Sequence, residues 1–278
     1  MRGARSGHRR LASTLVLLLL VTLAAAGCAG VNRLREAQAS FNEAAALENE
    51  LRLEAGQQEG ATIQAPLAQN TTVQNGYASA LLSLERLEAR DVARLKRDKL
   101  WGNVLALRAL AQWKLGLLDQ ARDTAREVQQ AGAEQVHPRD RALLLALPGL
   151  IKTDEAFAAL ARLPGEPSAV ERAATLKNVQ TLVADAGESI DRGRATIDAA
   201  HPVHVYLIQA RLAALRNLQV AHERLGDGEA RTLPREPRIE VQRQLKELKC
   251  HAERLGARPE IVTYWATRFT LAPDPGAC

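Results

Sequence analysis

Apolar residues recur along the chain at alternating steps of three and four, the spacing of one helix face. The clearest run is Leu176, Val179, Val183, Ala186, Ile190, Gly193 and Ile197. A second is Val241, Leu245, Leu248, Ala252 and Leu255, and a weaker one is Leu34, Ala37, Phe41, Ala44, Leu47 and Leu51. No stretch of period-two alternation competes with them, so the pattern predicts helices and no sheet. Gly116, Gly226 and Gly256 each follow a leucine that closes a stripe, where a helix commonly ends in a left-handed residue. Pro138, Pro202 and Pro259 each precede a new stripe, and proline is tolerated in a first helical turn. Residues 55–70, 163–168 and 226–237 are rich in Gly, Pro or Gln and read as connections. The expectation is an all-α protein of about nine or ten helices joined by short links.

The amino terminus has a different pattern. Arg2, Arg5, Arg9 and Arg10 precede an uncharged apolar segment from Leu11 to Ala26, which ends in small residues. This is the layout of a secretory signal. The apolar run falls short of the roughly 20 residues a helix needs to span a bilayer. Its end, Ala25-Ala26-Gly27-Cys28, resembles the bacterial lipoprotein signal, or lipobox, with Ala25 where that family usually has Leu. The resemblance implies removal of residues 1–27, a lipidated Cys28 as the first mature residue, and a membrane anchor strong enough to be stable once two or more acyl chains are attached. Ala29, which is not Asp, implies outer-membrane retention facing the periplasm.

Two internal signals suggest that the helices pair. Leu215, Leu218 and Glu223-Arg224-Leu225-Gly226 align, 30 residues on, with Leu245, Leu248 and Glu253-Arg254-Leu255-Gly256. In residues 104–131, Ala109, Gly116 and Ala121 have the small-residue spacing of a tetratricopeptide repeat, and the stretch resembles one degenerate unit of that family. The expected aromatics are replaced by Gln112 and Ala125, with Trp113 one place late. The resemblance implies stacked helical hairpins, as an α-solenoid or an irregular bundle. Leu163-Pro164-Gly165-Glu166-Pro167 is the best linker, giving helical regions at 28–162 and 168–278.

Charge removes one class of partner. The chain has 37 basic and 32 acidic side chains, a net charge of +5. Four of the basic residues belong to the signal, leaving 33 against 32. A nucleic-acid binder would keep a basic excess in its folded part, so no nucleic-acid partner is expected.

The search for chemistry yields structural readings. With Cys28 lipidated, Cys250 and Cys278 are an even pair in an oxidising compartment, and the expectation is a disulfide that pins the last residues to the preceding helix. Gly187-Glu188-Ser189-Ile190-Asp191 lacks the final glycine of a nucleophile elbow and sits inside the longest apolar run. His201 and His204 have ligand-like spacing, yet His137-Pro138 repeats the His-Pro pair at another helix start, so both read as entry motifs. His222 falls on an apolar stripe and reads as a core histidine, while Asp154-Glu155 would suit a helix's first turn. No phosphate-binding glycine loop is present. No catalytic residue, metal or cofactor is expected.

Ile261, Trp265 and Phe269 share a helix face, and core packing is the first reading of them. If exposed, Tyr264, Trp265 and Phe269 would be the best partner-binding patch. The functional expectation is a non-enzymatic helical scaffold for an unidentified envelope protein, held at the membrane by its lipid. The second is a small-ligand carrier, because the chain resembles the helical lipoprotein components of tripartite solute transporters, which combine a lipobox with degenerate hairpins.

Overall fold

The computed structural model describes residues 29–51, 70–132, 136–255, 260–271 and 278. Cys28 and the signal segment lie outside them, as do Gly256, Pro259 and nearly all of the 55–70 connection. The described residues form ten α-helices, one short 3-10 turn and no strand. In chain order these are α1 (29–51), α2 (Thr71–Glu85), α3 (Ala89–Arg97), α4 (Trp101–Lys114), α5 (Leu118–Gly132), α6 (Pro138–Ala161), α7 (Ala169–Arg194), α8 (Pro202–Leu225), α9 (Arg235–Leu255) and α10 (Glu260–Arg268). No helix among them is long and apolar enough to cross a membrane.

Helix ends show how local sequence sets these boundaries. Asn70 caps α2 by accepting from the Val73 N–H at 3.1 Å. Ser168 and Glu171 make a reciprocal capping box at the start of α7, which satisfies two amides that have no partner within the helix. Gly116 (φ +75°) ends α4, with the Leu117 amide reaching back to the Gln112 carbonyl. Gly226 ends α8 differently, in an extended conformation (φ −73°, ψ 150°), so the left-handed ending expected there is not adopted. Lys99 (φ 57°) and Thr270 (φ 54°) occupy the left-handed position that glycine would fill at less cost.

The helices stack in an alternating order. α2 packs on α4, α4 on α6, and α6 on α8, while α5 pairs with α4, α7 lies against both α6 and α8, and α9 packs on α8. The α4–α5 unit is the hairpin anticipated from Ala109, Gly116 and Ala121, and both alanines are fully buried. Gln112, in a place expected to be aromatic, is buried and accepts a 2.8 Å hydrogen bond from Thr124 across the hairpin. One buried cluster runs from Leu105 to Phe269, through the 163–168 connection without interruption. Smaller clusters join α1 to α2 and α4 through Ala37, Leu84, Val104 and Tyr77.

The α6–α7 seam is a close approach between helix backbones. A methyl group on Gly149 would lie 2.5 Å from the Ala186 carbonyl oxygen, and one on Gly193 would lie 2.5 Å from the Ala142 carbonyl oxygen. Small residues on both helices let the backbones meet. α6 continues through Pro148, so Asp154 and Glu155 stand deep in a helix and not in a first turn. Asp154 accepts from the Trp113 indole at 2.7 Å, and Glu155 pairs with Arg122. Burial of Leu147, Leu150 and Ile151 against neighbouring helices outweighs the helix-breaking tendency of proline.

Candidate functional site

The helices bring a polar cluster to the place where the end of α7, the first turn of α8 and the middle of α9 meet. Glu247 and His251 are four residues apart on α9 and therefore share one face of it. His204 comes from the first turn of α8, placed there by His201 and Pro202. His201 caps the helix, its Nδ1 accepting from the Val203 N–H at 3.1 Å. His137 caps α6 in the same way, accepting from the Arg139 N–H, so both His-Pro pairs are helix entries. The ligand of interest to His204 is consequently not His201. Its Nε2 lies 3.2 Å from Glu247 Oε1, and the Nε2 of His251 lies 3.7 Å from the same oxygen.

The two imidazoles stack at a tilt, with ring centroids 4.8 Å apart. They are 8 % and 5 % exposed, and the Nδ1 of each is buried without a hydrogen-bond partner. Arg194, from the last turn of α7, bonds Glu247 through Nη2 and donates from Nη1 to Gln244 at 3.0 Å. Burial pushes the Glu247 carboxyl upward, but the hydrogen bond and charge of Arg194, helped by His204, hold it below its ordinary range. Burial also lowers His251, with His204 adding to the effect and the Glu247 carboxylate opposing it. The resulting unit is an ionised carboxylate facing imidazoles, of which His251 favours the neutral form.

A second feature is a half-open groove of about 390 Å³ between α8, α9 and the end of α10. Leu233, Val241, Phe269 and Leu271 form its apolar wall, with Arg231 and Glu223 among the polar residues that line it.

The other residues singled out by sequence fall in structural places. Ser189 is buried within α7 and accepts from Arg192 at 3.2 Å. His222 is buried on its stripe, 3.5 Å from Gln180. Trp265 and Phe269 belong to the core, which removes the exposure that a patch of Tyr264, Trp265 and Phe269 would need. Tyr264 is half-buried, with its ring under the Arg268 guanidinium at 4.4 Å. Cys250 and Cys278 form a disulfide, with Cα atoms 5.5 Å apart. Glu247 and His251 escaped the sequence reading. Their four-residue spacing on a helix was the available signal, but without His204 it had no third member.

Comparison with known proteins gives no match to any family model, to any characterised protein or to any solved structure.

Proposed function

We propose that the protein is a lipid-anchored envelope lipoprotein whose helical domain serves as a scaffold for another envelope protein. In this reading residues 1–27 are a signal that is removed, and Cys28 carries the lipid. The folded domain faces the periplasm from the outer membrane. The observation that supports a scaffold most directly is the order of packing, in which α2, α4, α6 and α8 succeed one another with partner helices at their sides. Arrays of this kind present extended surfaces without needing catalytic groups.

In-cell cross-linking followed by mass spectrometry tests this proposal. The wild type is compared with a periplasmic, unlipidated form that lacks residues 1–28 and carries a different signal. A reproducible envelope partner, captured less well without the anchor, is the expected outcome. The same captures from both forms would remove the anchor from the mechanism, and no specific capture from either would remove the scaffold.

The groove beside α9 favours one other reading, a carrier of small amphipathic molecules. Its volume of about 390 Å³ lies within the usual range for small-molecule sites, as does its combination of apolar wall and polar lining. Saturable binding of a small molecule, lost in Phe269→Ala but retained in a distant surface variant, would support it.

A further inference from the structure

The cluster between α8 and α9 has the composition and convergence of a metal-binding site. Three side chains of ligating type, His204, Glu247 and His251, place one ligand atom each within 4.8 Å of one another. In a tetrahedral zinc site with bonds of about 2.0–2.1 Å, donor atoms stand roughly 3.3 Å apart. The contacts of 3.2 and 3.7 Å from the two Nε2 atoms to Glu247 Oε1 are already near that spacing.

We propose that His204, Glu247 and His251 bind one divalent transition-metal ion, with zinc the ion that best matches these ligands. Two imidazoles and one carboxylate favour zinc and its neighbours over magnesium or calcium, which prefer an all-oxygen shell. Three protein ligands leave a fourth tetrahedral position for water or a bound group.

Two independent observations support a ligand here. First, both histidines are buried and each has an Nδ1 with no partner. A buried polar nitrogen left without a hydrogen bond is uncommon; here the unpartnered atoms are the Nδ1 atoms, while the Nε2 atoms converge on Glu247 as the candidate ligands. Second, the ligands come from helices and not from loops. Glu247 and His251 are fixed by adjacent turns of α9, whose Leu245 and Leu248 are buried in the core. His204 is fixed by the capped first turn of α8. Such support limits the reorganisation needed to receive an ion.

Arg194 is the group that opposes a cation. Its bond to Glu247, like the contacts of both histidines, is made to Oε1, so the oxygen that the ion would take also accepts from Arg194. A carboxylate ligand held in place by an outer hydrogen-bond donor is the common arrangement in metal sites. The Arg194–Gln244 bond fixes that donor in turn.

Equilibrium titration of the purified, untagged, metal-stripped protein with zinc tests the proposal, with cobalt as a spectroscopic probe. The expected result is one zinc ion per chain, and tetrahedral cobalt absorption in the visible range. His204→Ala and His251→Ala should each weaken binding by about 100-fold or more, at least the upper range for losing an outer-shell partner. His137→Ala should leave binding unchanged, because that exposed ring caps the start of α6 and not a helix turn that carries a ligand. Helicity measured without metal separates a lost ligand from a lost fold. If either ligand variant fails to fold, imidazole nitrogen spectra of the wild type replace it, and zinc must then shift the ring nitrogens of His204 and His251. Absence of saturable binding, binding in the His204→Ala and His251→Ala variants equal to that of the wild type, or loss of binding in a folded His137→Ala variant would each overturn the assignment.

Discussion

Replacing Gly149 with alanine tests whether the α6–α7 seam is set by backbone contact. Gly149 lies in the interior of a 24-residue helix, and there alanine is intrinsically favoured over glycine by about 0.5–1 kcal/mol. Propensity alone therefore predicts a more stable protein. The structure predicts the opposite. The added methyl would stand 2.5 Å from the Ala186 carbonyl oxygen, 3.0 Å from Ser189 Cβ and 3.1 Å from Ile190 Cγ1. The first of these is backbone and cannot turn away, so the helices must separate by several tenths of an ångström along a seam that includes Gly193. Overpacking of this kind costs about 1–3 kcal/mol, which leaves a net loss of up to about 2.5 kcal/mol after propensity is credited. At this chain length that corresponds to a fall in Tm of up to roughly 10 °C.

Gly165 provides the internal comparison. A methyl there meets nothing within 4 Å, and Gly165→Ala should be neutral or stabilising by up to about 1 kcal/mol through the unfolded chain. Urea and thermal unfolding followed by circular dichroism would measure both variants. If Gly149→Ala proves as stable as Gly165→Ala, the close-contact account of this seam is wrong.

Other expectations follow from particular side chains. Arg211 donates to both oxygens of Glu240, at 2.6 and 2.8 Å, and to the Val183 carbonyl at 3.0 Å. Arg211→Ala should cost about 1–3 kcal/mol in chemical denaturation, because it removes the bidentate bonds to Glu240 and leaves that half-buried carboxylate only the 3.8 Å contact with Arg243. Lys99→Gly should raise stability by about 1 kcal/mol, since Lys99 occupies a left-handed conformation (φ 57°) that penalises any side chain. The Ser168 amide and hydroxyl hold the Glu171 carboxyl below its ordinary value of 4.5. Its contribution to α7 is therefore present above that value and fades as pH falls through the lower, folded value. Thermal melts from pH 7 to pH 3 should show a shallower acid dependence in Glu171→Gln. The Cys250–Cys278 pair closes a loop with a sequence separation of 28, so reduction should lower stability by up to about 3.5 kcal/mol on a chain-entropy model. Thiol labelling of both cysteines without reductant would contradict the bridge.

Much of this architecture is legible in the sequence because helices are local. The stripe Val179, Val183, Ala186, Ile190 and Gly193 marks the buried face of α7, and Val241, Leu245, Leu248 and Ala252 mark that of α9. Gly116 and the two His-Pro pairs locate helix ends because capping involves residues only a few positions apart. Even the pairing of α4 with α5 follows from small residues around a short turn. The sequence also contains the competing signals that mislead. Gly226 reads as a left-handed cap but is extended, and α6 runs on through Pro148.

Tertiary structure decided what stands beside what. Arg211 meets Glu240 across 29 positions, and Asn217 reaches the Thr153 carbonyl across 64. His204 offered only His201 as a companion while the chain was read in order. The packing of α8 on α9 instead gave it Glu247, 43 residues away, and His251 one turn beyond. Periodicity records which face of a helix is buried, because the hydrophobic effect acts on area without regard to direction. The choice of neighbouring face depends on steric fit, here on glycines and alanines that allow backbones to touch, and that fit exists only after the helices have come together.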